Sequence, residues 1–113
     1  MTTDFIARLR AQIGGPRDGA LLRFSLGQAL LGNGDAAGAA VALREAVAFD
    51  AEYSAAWKLL GRALADSGAP VAAAAAFERG IDVAQRRGDV QAAKEMGVFL
   101  KRLKAAGESG GSA

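Results

Sequence analysis

The sequence predicts an all-α protein in which antiparallel helix pairs stack into a short α-solenoid of about six helices. The main evidence is a repeat of 34 residues, since Leu26-Gly27-Gln28-Ala29-Leu30 returns as Leu60-Gly61-Arg62-Ala63-Leu64. Periods of this size are typical of stacked helix pairs, whose usual role is to hold another protein. About a quarter of the 113 residues are Ala, the strongest helix former, and apolar residues recur at helical spacing.

Each helix is predicted from an apolar stripe bounded by a cap or a breaker. The stripe at 22–31 is ended by Gly32-Asn33-Gly34. Asp35 and Asp89 are placed to cap the helices that follow them, and Pro70 stands at a first helical position, where no N–H is needed. The six predicted helices span about 4–13, 22–31, 36–50, 55–65, 70–85 and 89–106.

The repeat register predicts a single domain, residues 1–106, followed by a disordered tail at 107–113 that is rich in Gly and Ser. Met96-Gly97 imitates the two earlier Leu-Gly pairs but follows the second by 36 residues, so the loop at 86–88 is predicted to have gained two residues. The predicted parts of the domain are a half repeat at 4–15, whole repeats at 20–53 and 54–87, and a final helix at 89–106.

This pattern resembles the tetratricopeptide repeat, in the form of a small bacterial-type protein. The residues that match the motif in the first repeat are Leu26, Gly27, Leu30, Ala39, Leu43 and Ala46. Those in the second repeat are Trp57, Leu60, Gly61, Leu64, Ala73 and Phe77. Three positions depart from the motif. Arg23 replaces an aromatic residue, Gly80 replaces Ala, and Ala51 and Gln85 stand where the motif has Pro near the end of each repeat. The resemblance implies a right-handed solenoid with a structural role for Trp57, and a non-enzymatic adaptor or scaffold that binds proteins or peptides.

In the family that the chain resembles, ligands lie in a concave groove lined by the first helix of each pair. The matching positions are Leu21, Phe24, Gln28, Leu31 and Gly32, then Ala55, Lys58, Arg62, Ala65 and Asp66, then Gln91, Lys94, Val98, Lys101 and Arg102. The peptide-binding residues that this implies are Phe24, Gln28, Lys58, Arg62 and Lys94. An apolar end around Phe24 and a basic end around Lys58 favour an acidic or carboxylate-bearing peptide with one apolar anchor. The alternative is that these cations are ordinary solvated surface charge.

Two further functions are compatible with the sequence. The opening helix has no partner helix before it, so Phe5, Ile6 and Leu9 could leave an apolar face that packs on a second copy of the chain or on another protein. The alternative is that Ala-rich neighbours and the cap at Thr2-Thr3-Asp4 shield these residues. Weak nucleic-acid binding would rest on Arg86-Arg87 and on the basic cluster at 101–104, but a net charge of only +2 argues against it.

The composition argues against catalysis. There are no Cys and no His, so thiolate chemistry, the commonest general base and the commonest metal ligand are all missing. The Asp and Glu residues form no supported acid–base pair, and we expect no cofactor and no metal. The charges at Asp4, Arg8 and Arg10 do not suit a signal peptide, and the apolar stretches are too short to span a bilayer, which favours a soluble cytoplasmic protein.

Overall fold

The computed structural model describes residues 3–111, and this part of the chain forms six helices and no strand. The prediction of an all-α stack is confirmed. The helices begin and end within two residues of their predicted positions, except at the end of the last one. They are α1 (Thr3–Ala11), α2 (Ala20–Gly32), α3 (Ala36–Phe49), α4 (Ser54–Asp66), α5 (Pro70–Arg86) and α6 (Val90–Gly111).

The predicted caps are present. The Asp35 carboxylate accepts a 2.8 Å hydrogen bond from the Gly38 N–H at the start of α3, and Asp89 accepts one of 3.2 Å from the Ala92 N–H at the start of α6. At the end of α2 it is Gly34, rather than Asn33, that takes the left-handed conformation, with φ 83°. The Asp35 N–H then donates to the Leu30 carbonyl at 2.9 Å, which closes the helix end.

Two glycines allow the helices of each pair to approach closely. A Cβ on Gly27 would lie 2.8 Å from a methyl carbon of Leu43, and one on Gly61 would lie 2.6 Å from the ring of Phe77. Leu43 and Phe77 are therefore seated directly on the backbone of the preceding helix. Both side chains are at most 1% exposed, and with their neighbours they form one continuous core through the stack.

The predicted two-residue insertion lengthens a helix rather than a loop. α5 has 17 residues where the equivalent helix α3 has 14. The link from α5 to α6 covers only 87–89, whereas the link from α3 to α4 covers 50–53. The loop prediction is therefore wrong, because Val83 and Ala84, both fully buried, add apolar contacts that extend α5 by most of a turn.

The end of the chain also differs from expectation. α6 continues to Gly111, so residues 107–111 are helical where the sequence predicts a disordered tail, and Ser112 and Ala113 lie outside the described residues. The segment contains no Pro, and it follows the strong helix formers Ala105 and Ala106. Each of its three Gly residues costs about 1 kcal/mol relative to Ala, but Gly keeps its backbone N–H and, unlike Pro, does not remove a hydrogen bond of the helix.

The apolar face expected on the opening helix is absent. Ile6 and Leu9 are only 4% and 8% exposed, because α1 packs them against α2, and Phe5 is half-buried against the same core. The prediction that these three residues form an exposed patch is therefore wrong. The proposed self-association through α1 rested on this patch, so the structure gives it no support.

Arg23 holds the start of the stack together in place of the aromatic residue usual in the repeat motif. Its guanidinium forms two hydrogen bonds with the Asp18 carboxylate, at 2.8 and 2.9 Å, and lies 5.7 Å from the ring centre of Phe49. These hydrogen bonds, reinforced by the Gly14 N–H, hold the pKa of Asp18 well below its usual range. Arg23 thus ties the α1–α2 link to α2 and to the end of α3.

Trp57 has the structural role expected of it. Its Nε1–H donates to the Ala51 carbonyl at 2.8 Å, and the Arg79 guanidinium lies 5.1 Å from its ring centre. The surroundings of Gly80 explain why this chain has Gly where the repeat motif has Ala. A Cβ at this position would lie 2.8 Å from the Cβ of Trp57 and would meet the sulfur of Met96. Ala at this position would therefore clash in this chain.

Candidate protein interaction site

The predicted peptide-binding residues lie on α2, α4 and α6, and α4 contacts both of the other two helices. We call the surface that these helices form together the three-helix face. Gln28, Arg62 and Lys94 are exposed on their helices, whereas Phe24 and Lys58 are half-buried. The five residues thus differ in how much of each a ligand could reach.

Phe24 is held by a neighbouring aromatic ring. Its ring stacks on that of Tyr53, just before α4, with 4.9 Å between centres and 26° between planes. Phe24 also packs against the core. Part of the Phe24 surface is therefore buried at the junction between the two repeats, and less of it is accessible to an apolar side chain of a ligand.

Lys58 pairs with a carboxylate of the protein itself. Its Nζ lies 2.8 Å from an oxygen of Glu95 on α6, and the other Glu95 oxygen accepts a 3.2 Å hydrogen bond from Gln91. The Lys58 hydrogen bond and, second to it, the Gln91 one lower the pKa of Glu95. Lys58 is therefore not a bare cation, and Glu95 stands where a ligand carboxylate would bind it.

Arg62 lies beside a depression between α4 and α6. Its guanidinium is 5.7 Å from the ring centre of Phe99, and the Phe99 ring stacks on Phe77 with 5.6 Å between centres and 17° between planes. The depression has a volume of about 300 Å³. Its lining is Arg62, Ala65, Asp66, Phe77, Phe99, Arg102, Leu103 and Ala106. We call it the arginine pocket, because exposed Arg62 and Arg102 stand beside an aromatic surface.

Sequence reasoning placed Arg62 and Arg102 on this face but did not single out Phe99. A signal was available, because Phe99 occupies the repeat position held by Ala29 in α2 and Ala63 in α4. Both alanines are fully buried, whereas Phe99 is half-buried at the last helix of the stack. A large residue at an otherwise Ala position therefore marks the pocket.

Among the side chains that the structure describes, those of residues 3–107, no three Asp or Glu residues are grouped so that they could hold a metal ion. In the same part of the chain, none of the helices combines the length and the apolar character that crossing a membrane requires.

The chain is similar to known proteins both in sequence and in structure. The model of a family described as tetratricopeptide repeat matches residues 30–96. The TPR repeat-containing protein PA0015 of Pseudomonas aeruginosa is 50% identical over 86 residues, which cover 76% of this chain and 82% of that protein. The solution structure of protein BPP2914 from Bordetella parapertussis has a TM-score of 0.78 and 40% identity, and the match covers 94% of this chain and 91% of the other.

Proposed function

We propose, from the premise that this chain belongs to the tetratricopeptide repeat family, that its three-helix face binds an acidic peptide segment of a partner protein. Proteins of this family act in general as non-catalytic scaffolds for protein–protein interaction. The membership confirms the resemblance to a small bacterial protein of this kind. The proposal adds the surface and the chemistry of the ligand.

The arginine pocket is the observation that carries the proposal. The half-buried ring of Phe99 offers apolar surface, and the guanidinium groups of Arg62 and Arg102 border it. The buried ring of Phe77 supports Phe99 from below. An apolar side chain of a ligand could bury itself against Phe99 while a nearby carboxylate pairs with an arginine. Asp66 also lines the pocket, and it would disfavour a ligand with a carboxylate on that side.

Lys58 could add a second contact to an acidic ligand, in competition with Glu95. The Glu95 carboxylate of α6 lies 2.8 Å from Lys58. The two side chains are 30% and 39% exposed, so their pairing contributes little to stability and a ligand carboxylate can compete for Lys58. Exposed Lys94 extends the basic surface along α6.

The test is selection of binders from a displayed library of random peptides, with the wild-type chain as bait. We expect the enriched peptides to share one large apolar residue next to Asp or Glu. Their affinity is then measured for Arg62→Glu/Arg102→Glu, and we expect a loss of about tenfold or more, which corresponds to about 1.4 kcal/mol. Glu95→Gln should instead strengthen binding severalfold, because it removes the competing carboxylate.

The matched control is Arg10→Glu/Arg44→Glu, which makes the same charge change at exposed positions on α1 and α3. Circular dichroism must show that all variants keep the helical content of the wild type. Enriched peptides without acidic residues, or equal losses in the control and the pocket variant, would remove the basis for the proposal.

A further inference from the structure

The last helix, α6, contains a glycine at the position where α2 and α4 each have one. Gly97 on α6 corresponds in sequence to Gly27 on α2 and Gly61 on α4, because Met96-Gly97 repeats Leu26-Gly27 and Leu60-Gly61. The three residues that precede these glycines are equivalent in the structure as well. Leu26, Leu60 and Met96 are 4%, 2% and 0% exposed.

At the first two glycines, the following helix supplies a large apolar side chain. Leu43 of α3 is seated on Gly27, and Phe77 of α5 is seated on Gly61, so closely that a Cβ would overlap them. At Gly97, a Cβ would meet no neighbouring atom of the described residues within 4 Å. The backbone at Gly97 therefore has space for a large side chain, and none of the described residues fills it.

A depression marks the same place on α6. It has a volume of about 410 Å³ and is lined by Gly97, Leu100, Lys101, Lys104 and Ala105. None of these lining residues belongs to the arginine pocket, which uses Phe99, Arg102, Leu103 and Ala106 on another side of the helix. α6 thus separates two surfaces, and we call the one around Gly97 the α6 seat.

We infer that the α6 seat binds an acidic amphipathic helix of a partner protein, which inserts a Phe or Leu side chain against Gly97 and takes the place of the next helix in the stack. The shape is argued from Leu43 on Gly27 and Phe77 on Gly61, which show what this backbone position accepts. The charge is argued from Lys101 and Lys104, since none of the described residues lining the seat is acidic. Helix binding in an apolar groove uses this kind of spaced anchor residue.

A symmetric pair of two copies fits this surface poorly. Two α6 helices packed on each other about a two-fold axis would bring Lys101 and Lys104 of one copy against the same residues of the other. Like charges placed together across an interface oppose association. The charges therefore favour a partner helix with Asp or Glu beside its apolar anchor.

The probe is a labelled peptide of the α5 sequence, Pro70–Arg86, in which Arg79→Glu and Arg86→Glu make the exposed side acidic. It retains the Phe77 anchor and the surrounding Ala residues. We expect the wild-type chain to raise its fluorescence anisotropy on binding. The substitution Phe77→Ala in the peptide, or Gly97→Gln in the protein, should weaken binding by about tenfold or more, since each removes the burial of one large side chain.

The control variant is Gly107→Gln, which places the same residue on the same helix at another position where a Cβ meets no neighbouring atom. It should leave peptide binding unchanged. Lys101→Glu/Lys104→Glu should weaken binding of the acidic peptide. The same variant should bind more tightly a version of the peptide with Lys in place of the two introduced Glu residues. Phe99→Ala, which alters the arginine pocket without changing any charge, should leave binding of this peptide unchanged, so a failure of the α6 seat can be told apart from a failure of the arginine pocket.

Three results of the binding assay would overturn the inference. These are no binding of the acidic peptide at high micromolar concentration, equal binding of the acidic peptide and its Lys version, and equal binding by Gly97→Gln and the wild type. Light scattering tests the other occupant, a second copy of the chain. If the wild type formed dimers and Gly97→Gln did not, the α6 seat would be a self-association surface, and the assignment to an acidic partner helix would be overturned.

Discussion

The two complete helix pairs and the single last helix carry the same local sequence in different surroundings. In the pairs α2–α3 and α4–α5, the glycine of the first helix is covered by Leu43 or Phe77 of the second. On α6, none of the described residues covers Gly97. The same residue type therefore closes the core in two places and leaves a surface depression in the third. The comparison shows that a repeat motif specifies a packing position, while the next helix decides whether that position is core or surface.

The comparison extends to the other side of the same helices. Ala29 and Ala63 are fully buried, whereas Phe99 at the equivalent position of α6 is half-buried beside the arginine pocket. The last helix is thus built to present side chains that its equivalents hide. Both candidate surfaces of this protein involve α6 for that reason.

Removal of the seated aromatic ring should have the largest effect. Phe77→Ala removes a side chain that is 1% exposed, and we expect the free energy of unfolding to fall by about 3–5 kcal/mol. Phe99→Ala, which removes the same side chain from a half-buried position on α6, should lower it by less than half as much. Urea unfolding followed by circular dichroism measures both, and Phe77→Leu serves as a milder variant if Phe77→Ala does not fold. Equal losses for Phe77→Ala and Phe99→Ala would contradict the distinction between core and surface.

A methyl group at the covered glycine should have the next largest effect. In Gly61→Ala, the new Cβ would lie 2.6 Å from the Phe77 ring, which must shift. Overpacking of this kind costs about 1–3 kcal/mol, more than the gain in helix propensity on average. Thermal and urea unfolding should therefore show a less stable protein. A variant as stable as the wild type would show that α4 and α5 separate easily.

The same substitution at the open glycine should act in the opposite direction. Gly97→Ala places its Cβ in open space, so we expect a gain of about 0.5–1 kcal/mol from the lower backbone entropy of the unfolded chain. Gly107→Ala, also open, is the matched control and should give a similar gain near the helix end. A loss of stability in Gly97→Ala alone would mean that the α6 seat is filled in solution.

The smallest effect concerns the other end of the stack, where an ion pair replaces aromatic packing. Asp18→Asn should lower the melting temperature slightly at neutral pH, because it weakens the pairing with Arg23. The pKa of Asp18 is lowered in the folded protein, so its carboxylate stabilises the fold above the pKa of an unfolded Asp, about 3.9. That contribution is lost as the pH falls below this value. The difference between wild type and Asp18→Asn should therefore shrink in acid, and a difference that stayed constant from neutral pH to acid would exclude this origin.

The sequence by itself determined the class of fold and most helix boundaries. The period of 34 residues, the capping residues Asp35 and Asp89, and Pro70 are local signals, and the structure follows each of them. They succeed because caps and breakers act on the backbone within a few residues. The family resemblance also rests on such local spacing. The peptide-binding role of Phe24, Gln28, Lys58, Arg62 and Lys94 stays a prediction.

Only the tertiary structure decided which of these positions are accessible. It buries Ile6 and Leu9, joins Lys58 to Glu95, lengthens α5, and forms one pocket around Phe99 and another around Gly97. Each of these features depends on a neighbour 10 or more residues away or on the absence of one, and a helical period carries no information about either. Exposure is a property of the packed helices together, because the same side chain is core or surface according to what lies against it.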